Sequence, residues 1–215
     1  MKHQTRLCIN PDCTLRFTIP LSENISIRCP RCGSGTIPID EGYDSNLIPQ
    51  RKQDESGLPT VVAVLDNIRS ALNVGAILRT ADGAGIRKIF LCGITPTPEN
   101  PKVLKTSLGA ENAIRWEHSW NILEIVEQLK SEGFLILCLE GGKRSINLFQ
   151  NIGKILSGQP VALFIGNEIN GIDPVVLEKA DFSVFLPMQG EKESLNVATA
   201  FGIAAYLLRY GKTIK

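Results

Sequence analysis

The chain has 215 residues, 43% of them hydrophobic, enough to bury a substantial core as one domain plus a small module. Its 23 Lys and Arg stand against 22 Asp and Glu, and a net charge of +1 excludes a polyanion binder acting through global charge; any nucleic-acid site must be a local patch. Every apolar run is far shorter than a membrane span, and the start MKHQTRLCIN lacks the apolar core of a signal peptide, so the cytoplasm is the expected compartment.

Four of the six cysteines fall between residues 8 and 32. Cys8 and Cys13 form a C-x4-C pair, and Cys29 and Cys32 a C-x2-C pair. Between them Leu15, Phe17 and Ile19 alternate with polar residues, and Ile25 and Ile27 repeat the pattern after a Ser-Glu-Asn turn, which predicts a hairpin joining two cysteine knuckles. That is the plan of a zinc ribbon over residues 1–37, with four thiolates closing a structural Zn²⁺ site that also supplies folding energy. The alternatives are a metal-free remnant or a disulfide-bonded flap. Arg16, Arg28 and Arg31 either line a face that meets phosphates or are ordinary solubilising charges. His3 falls in a stretch expected to be mobile. Residues 38–59, rich in Pro, Gly and charge, read as a linker, and residues 60–215 as the main domain.

From Val61 the pattern is α/β. Strands are predicted at 61–65, 88–92, 114–117, 134–139, 161–165 and 182–186, mostly continuous apolar runs. That favours a mostly parallel sheet with helices on both faces. Val74, Ile77, Leu78 and Ala81 mark the core face of a helix over 73–84, with Gly75, Arg79 and Asp82 opposite. Residues 95–101 read as a proline-rich loop, and His118 as a loop residue. Ile122, Ile125, Val126 and Leu129 mark a second helix, and Asp173-Pro174 caps a short third. Cys92 and Cys138 lie inside apolar strands as buried thiols. No G-x-G-x-x-G follows the first strand, so a doubly wound dinucleotide fold is disfavoured. A final helix opens near Ser194, the expected N-cap. Leu195, Val197, Ala198, Phe201, Ile203, Ala204, Ala205, Leu207 and Leu208 leave it almost no polar face. It must be covered on more than one side, either by a second copy in a homodimer or by residues 59–120 of its own chain.

Three stretches, NIRSALNVGAILRTAD (67–82), VALFIGNEING (161–171) and FLPMQGEKESLNVATA (185–200), resemble in order and spacing the three signature motifs of the SpoU (TrmH-like) RNA ribose 2′-O-methyltransferases of the SPOUT superfamily. Asn73, Gly75, Arg79 and Ala81 fit the first motif, Gly166, Glu168 and Gly171 the second, and Pro187, Met188, Gly190, Ser194, Leu195 and Asn196 the third. The resemblance implies a C-terminal trefoil knot, a homodimer with each active site near the interface, and methyl transfer from S-adenosylmethionine to a ribose 2′-hydroxyl of tRNA or rRNA. It places cofactor contacts at Gly166, Leu186 and Leu195, with Leu139, Gly141, Ile165, Met188 and Ser194 as further candidates.

The same resemblance makes Arg79 the catalytic arginine. An arginine stays protonated at neutral pH, so it suits an electrostatic clamp on phosphate and developing oxyanion better than a base. Gly75, one turn away, would give a ligand room to approach it. The bland alternative is a surface arginine paired with Asp82. Glu168 is suited to orient Asn73 or Arg79, or to hold the ribose. Ser194 and Asn196 suit a phosphate or a cofactor carboxylate at a helix start. A non-catalytic RNA-binding protein with a zinc ribbon and a cofactor-binding domain is the competing reading.

Overall fold

The computed structural model describes residues 2–21, 27–44 and 57–211. The chain divides into two units, Met1–Asp54 and Glu55–Lys215.

In the first unit, β1 (Lys2–Cys8) is the centre of a small antiparallel sheet. It pairs with β2 (Arg16–Pro20), β3 (Thr36–Pro38) and β4 (Tyr43–Asp44). The described partner of β2 is therefore β1, not a strand at 25–27. Ile27 lies outside any strand, and Ile25 falls outside the described residues. His3 is fixed in β1 and stacks on Tyr43 at 6.0 Å between ring centroids, correcting the expectation of a mobile terminus. The expected boundary at residue 37 falls inside this sheet, because β4 pairs with β1 beyond it. Residues 38–44 thus belong to the module. The remainder of the expected linker lies largely outside the described residues.

The second unit is built on seven parallel strands: β5 (Val61–Asp66), β6 (Lys88–Cys92), β7 (Arg115–Ser119), β8 (Leu135–Leu139), β9 (Ile146–Asn147), β10 (Val161–Ile165) and β11 (Phe182–Phe185). Their order in the sheet is β7-β6-β5-β10-β8-β11-β9, and every described pairing is parallel. Alternate residues of one strand serve opposite layers. Val61, Ala63 and Leu65 join one buried cluster, and Val62 and Val64 the other. With both faces covered, alternation disappears and the strands read as apolar runs.

One layer holds α1 (Ala71–Gly83), α4 (Leu148–Ile155) and α6 (Val197–Tyr210); the other holds α3 (Ile122–Ser131) and α5 (Pro174–Lys179). Asp173 caps α5 by accepting from Val175 N–H at 2.8 Å. A short helix, α2 (Pro101–Ser107), occupies the segment after the proline-rich loop and packs on α1. Its seven residues are too few to show a periodic face. Gly75 is the contact point: a Cβ there would collide with Thr106 Oγ1 and the Val103 carbonyl. It serves helix packing, and the room it leaves is filled by α2 rather than open to a ligand beside Arg79. His118 lies in β7, its Nε2 within 2.9 Å of the Gly93 carbonyl.

Helix α6 is capped by Asn196, not Ser194. Asn196 Oδ1 accepts from the N–H groups of Ala198 (2.9 Å) and Thr199 (3.3 Å). Phe201, Ala204, Ala205 and Leu208 are buried, and α1 covers a second side, where Thr80 meets Gly202 and Gly83 meets Tyr206. Arg209 is buried within the same layer and donates to the carbonyls of Ala84 and Pro59. The segment 59–84 therefore covers part of the helix. Ile203 and Tyr206, with Leu72 of α1, remain exposed.

Candidate active site and metal centre

The carboxyl ends of β8, β10 and β11 face the first residues of α6 across a cleft of about 600 Å³. In an open parallel sheet this is where ligands bind, because the connecting loops diverge there. Leu139, Gly141, Ile165, Gly166, Leu186, Met188, Ser194 and Leu195 all line this cleft, as do Glu168 and Asn196. Eight residues expected to hold a cofactor, spread over nearly 60 positions of sequence, thus line one cleft.

Gly166 has a local reason as well. After β10 the chain turns back on itself, and Asn167 and Gly171 exchange two backbone hydrogen bonds of 3.0 Å. A Cβ on Gly166 would strike Gly171 and Ile172 N. The space it leaves is filled by this loop, so its first duty is to the turn, with the cleft beside it.

Side-chain hydrogen bonds tie the three motif segments together. Glu168 accepts from the N–H groups of Arg69 (2.9 Å) and Ser70 (3.2 Å) and from Asn73 Nδ2 (3.0 Å). Asn196 Nδ2 donates to Asn73 Oδ1 at 3.2 Å. Partial burial disfavours the Glu168 charge, but these donors outweigh it and hold the carboxyl below its ordinary range. The anion also sits at the start of α1, where the helix dipole favours it. Both polar ends of Asn73 and Asn196 are engaged, which makes the trio a brace that positions loops around the cleft. A second brace lies behind it: buried Asp66 accepts from Asp173 N–H (2.9 Å) and Asn67 Nδ2 (2.7 Å), and Asn67 adopts φ 53°. Burial raises the Asp66 carboxyl despite those two donors.

Arg79 stands apart from the cleft, on the exposed side of α1. Asp82, its expected partner, bonds Arg87 at 3.1 Å instead. Among the described residues Arg79 has no hydrogen bond or ion pair. Like Leu72 of the same helix and Ile203 and Tyr206 of α6, it is exposed. Glu140, within the candidate strand end 139–141 but given no role of its own, lines the cleft between Leu139 and Gly141. Its signal, a charged residue directly after an apolar strand, is too common to mark a site by itself.

In the N-terminal module the Sγ atoms of Cys8, Cys13, Cys29 and Cys32 all lie within 4.8 Å of one another. Four sulfurs about 2.3 Å from one zinc would be about 3.8 Å apart, so the cluster has the dimensions of a tetrahedral thiolate site. The closest pairs, Cys8–Cys32 at 3.5 Å and Cys13–Cys29 at 3.6 Å, are too far apart for disulfides, and all four thiols are free. Arg28 and Arg31 donate to the carbonyls of Gly33 (3.5 Å) and Cys13 (3.4 Å), which gives two of the module's arginines a local role in the knuckles.

The second unit is a parallel α/β domain with a ligand cleft at its strand ends and a hydrogen-bonded loop frame around it. The SpoU rRNA Methylase family profile matches residues 60–206, and the chain belongs to that family. It is 34% identical over 150 residues to the 23S rRNA (guanosine(2553)-2′-O)-methyltransferase RlmP of Bacillus subtilis, covering 69% of this chain and 57% of that one. An uncharacterized tRNA/rRNA methyltransferase of Borreliella burgdorferi is 30% identical over 164 residues, covering 76% and 68%. The AdoMet-bound rRNA methyltransferase of Sinorhizobium meliloti superposes with a TM-score of 0.65 at 26% identity, covering 73% of this chain and 57% of that one. The chain thus spans little more than half the length of two of these relatives.

Proposed function

We propose that the protein transfers a methyl group from S-adenosylmethionine to a ribose 2′-hydroxyl of rRNA or tRNA. The observation that carries this reading is the Glu168–Asn73–Asn196 chain, which joins all three motifs at one cleft. The cleft is large enough for a nucleoside cofactor and offers apolar walls at Leu139, Ile165 and Leu186. The cofactor, when bound, supplies an electrophilic methyl on a good leaving group. The chain's own work is then positioning. Gly166 and Gly171 shape the turn, Glu168, Asn73 and Asn196 hold the loops, and Ser194 offers a hydroxyl at the start of α6. Arg79, exposed and without a partner among the described residues, clamps the RNA phosphate and the developing oxyanion.

We infer a homodimer, supported by an exposed apolar surface. The exposed Leu72, Ile203 and Tyr206 would be covered by a second copy, and Arg79, exposed on α1, would be brought to the partner's cleft. The knot is supported by the strand order: β11 lies between β8 and β9, strands that are joined directly by residues 140–145. Cys8, Cys13, Cys29 and Cys32 hold a structural Zn²⁺ that folds the module. The expected compartment is the cytoplasm, and no described helix is long and apolar enough to cross a membrane.

Titration calorimetry with S-adenosylhomocysteine tests the cofactor site. Micromolar binding, roughly −8 kcal/mol, is expected. A folded sample that gives no heat and no thermal shift would sink the methyl-transfer reading.

A further inference from the structure

Glu140 follows β8, and its backbone N–H donates to the Val184 carbonyl at 3.0 Å, which fixes the residue between two strand ends. Its side chain is half-buried and lines the cleft. Oε2 accepts from Ile172 N–H at 3.2 Å, and no other described donor reaches the carboxylate. Gly171 explains how it is held. At φ 73° that residue disfavours a side chain, and a Cβ there would lie 2.8 Å from Glu140 Oε2 and 3.0 Å from Oε1. The carboxylate occupies the place a side chain at 171 would take. Burial raises its pKa against the single opposing hydrogen bond.

An ionised carboxylate only accepts, with about four lone-pair sites. A half-buried one that meets a single backbone donor has capacity left, and a desolvated anion gains from filling it. The groups around it limit what the second donor is. Leu139, Ile165 and Leu186 make this end of the cleft apolar, and Gly141 leaves room beside it, which suits a nucleoside. The cofactor's own carboxylate would be repelled here, and the first turn of α6 at the other end is better placed for it. Two adjacent hydroxyls match two carboxylate oxygens, and an acidic side chain at a strand end reading a ribose is a general solution in parallel sheets.

We infer that Glu140 accepts hydrogen bonds from the vicinal ribose hydroxyls of the adenosyl cofactor and sets the affinity of the cleft for it. This rests on the cofactor reading above. The test is calorimetry on the full-length protein with three ligands: S-adenosylhomocysteine, its 2′,3′-dideoxy analogue, and its analogue lacking the amino group. Glu140→Gln keeps the volume and an acceptor for Ile172 N–H, and its melting curve checks the fold. Glu140→Gln should bind S-adenosylhomocysteine about 10–100-fold more weakly than wild type, the range of a charged hydrogen bond. Wild type should disfavour the dideoxy analogue by a similar factor, and wild type and Glu140→Gln should bind that analogue within about threefold of each other. Normal affinity in Glu140→Gln, or an equal loss for the dideoxy analogue in both proteins, overturns the inference while leaving the cofactor reading intact. Wild type alone gives a second arm that does not depend on the variant folding. Undiminished binding of the dideoxy analogue, or a larger loss with the analogue lacking the amino group, also overturns it. Wild type that binds none of the three overturns the cofactor reading itself.

Discussion

Glu168→Ala removes the acceptor shared by Arg69 N–H, Ser70 N–H and Asn73 Nδ2. Two of these donors belong to the entry of α1, so the loss resembles removal of a helix cap, typically about 1 kcal/mol. Charged hydrogen bonds can be worth about 1.5–3 kcal/mol, but Glu168 is exposed and water resolvates the freed donors, which discounts that figure. About 1 kcal/mol in a chain of this size lowers the melting temperature by about 2–4 °C. Both tryptophans, Trp116 and Trp120, lie in or beside β7, so tryptophan fluorescence reports the α/β unit without the N-terminal module. The effect should depend on pH. The folded carboxyl lies below its ordinary value of 4.5, so its contribution is full above that value and is lost as pH falls through the folded one. At pH 7 the variant should melt early; near pH 3 the gap should narrow. Asn73→Ala and Glu168→Ala together should cost less than the sum of the two, because they share one hydrogen bond, while the Asn73–Asn196 bond is lost only with Asn73. An unchanged melting curve at pH 7, or full additivity of the two substitutions, would refute the brace.

The purified protein should carry about one zinc per chain, and Cys29→Ser should lose most of it; a metal-free sample with a folded module would contradict the thiolate site. Arg79→Ala should abolish methyl transfer while leaving S-adenosylhomocysteine affinity within a few fold, and Arg79→Lys should fail as well; near-normal turnover in Arg79→Ala would return the residue to the surface. Light scattering should give roughly twice the chain mass of 23.5 kDa, and Tyr206→Glu should shift it toward one. An active monomeric wild type would remove the shared-site arrangement.

The α/β order was legible because four of its seven strands, β5, β6, β8 and β10, are apolar runs buried on both faces. β1 was not, since KHQTRLC carries no apolar alternation and depends on three partner strands and a cysteine cluster distant in sequence. Sequence alone places the cap of α6 two residues too early because Ser194 and Asn196 are both good N-caps, and only the fold decides which oxygen meets Ala198 and Thr199. Gly75 and Gly166 were recognised as functionally placed, but each first accommodates its own chain, a close approach that spacing along a sequence does not reveal. Ile165, Gly166, Leu186, Met188, Ser194 and Leu195 fall in the motif stretches and line the cleft, whereas Leu139 and Gly141 are strand-end residues outside them. Arg79's separation from the cleft is not legible in the motifs, because motif order does not say which face of α1 each residue occupies in the fold.

The central claim is the position of the transferred methyl group. RNA incubated with the protein and S-adenosylmethionine, digested to nucleosides and analysed by mass spectrometry, should contain a 2′-O-methylated nucleoside that is absent when Arg79→Ala replaces the wild type. A methyl group found on a base, or no methylated nucleoside from a folded protein shown to bind S-adenosylmethionine and supplied with total rRNA and tRNA, would contradict the account.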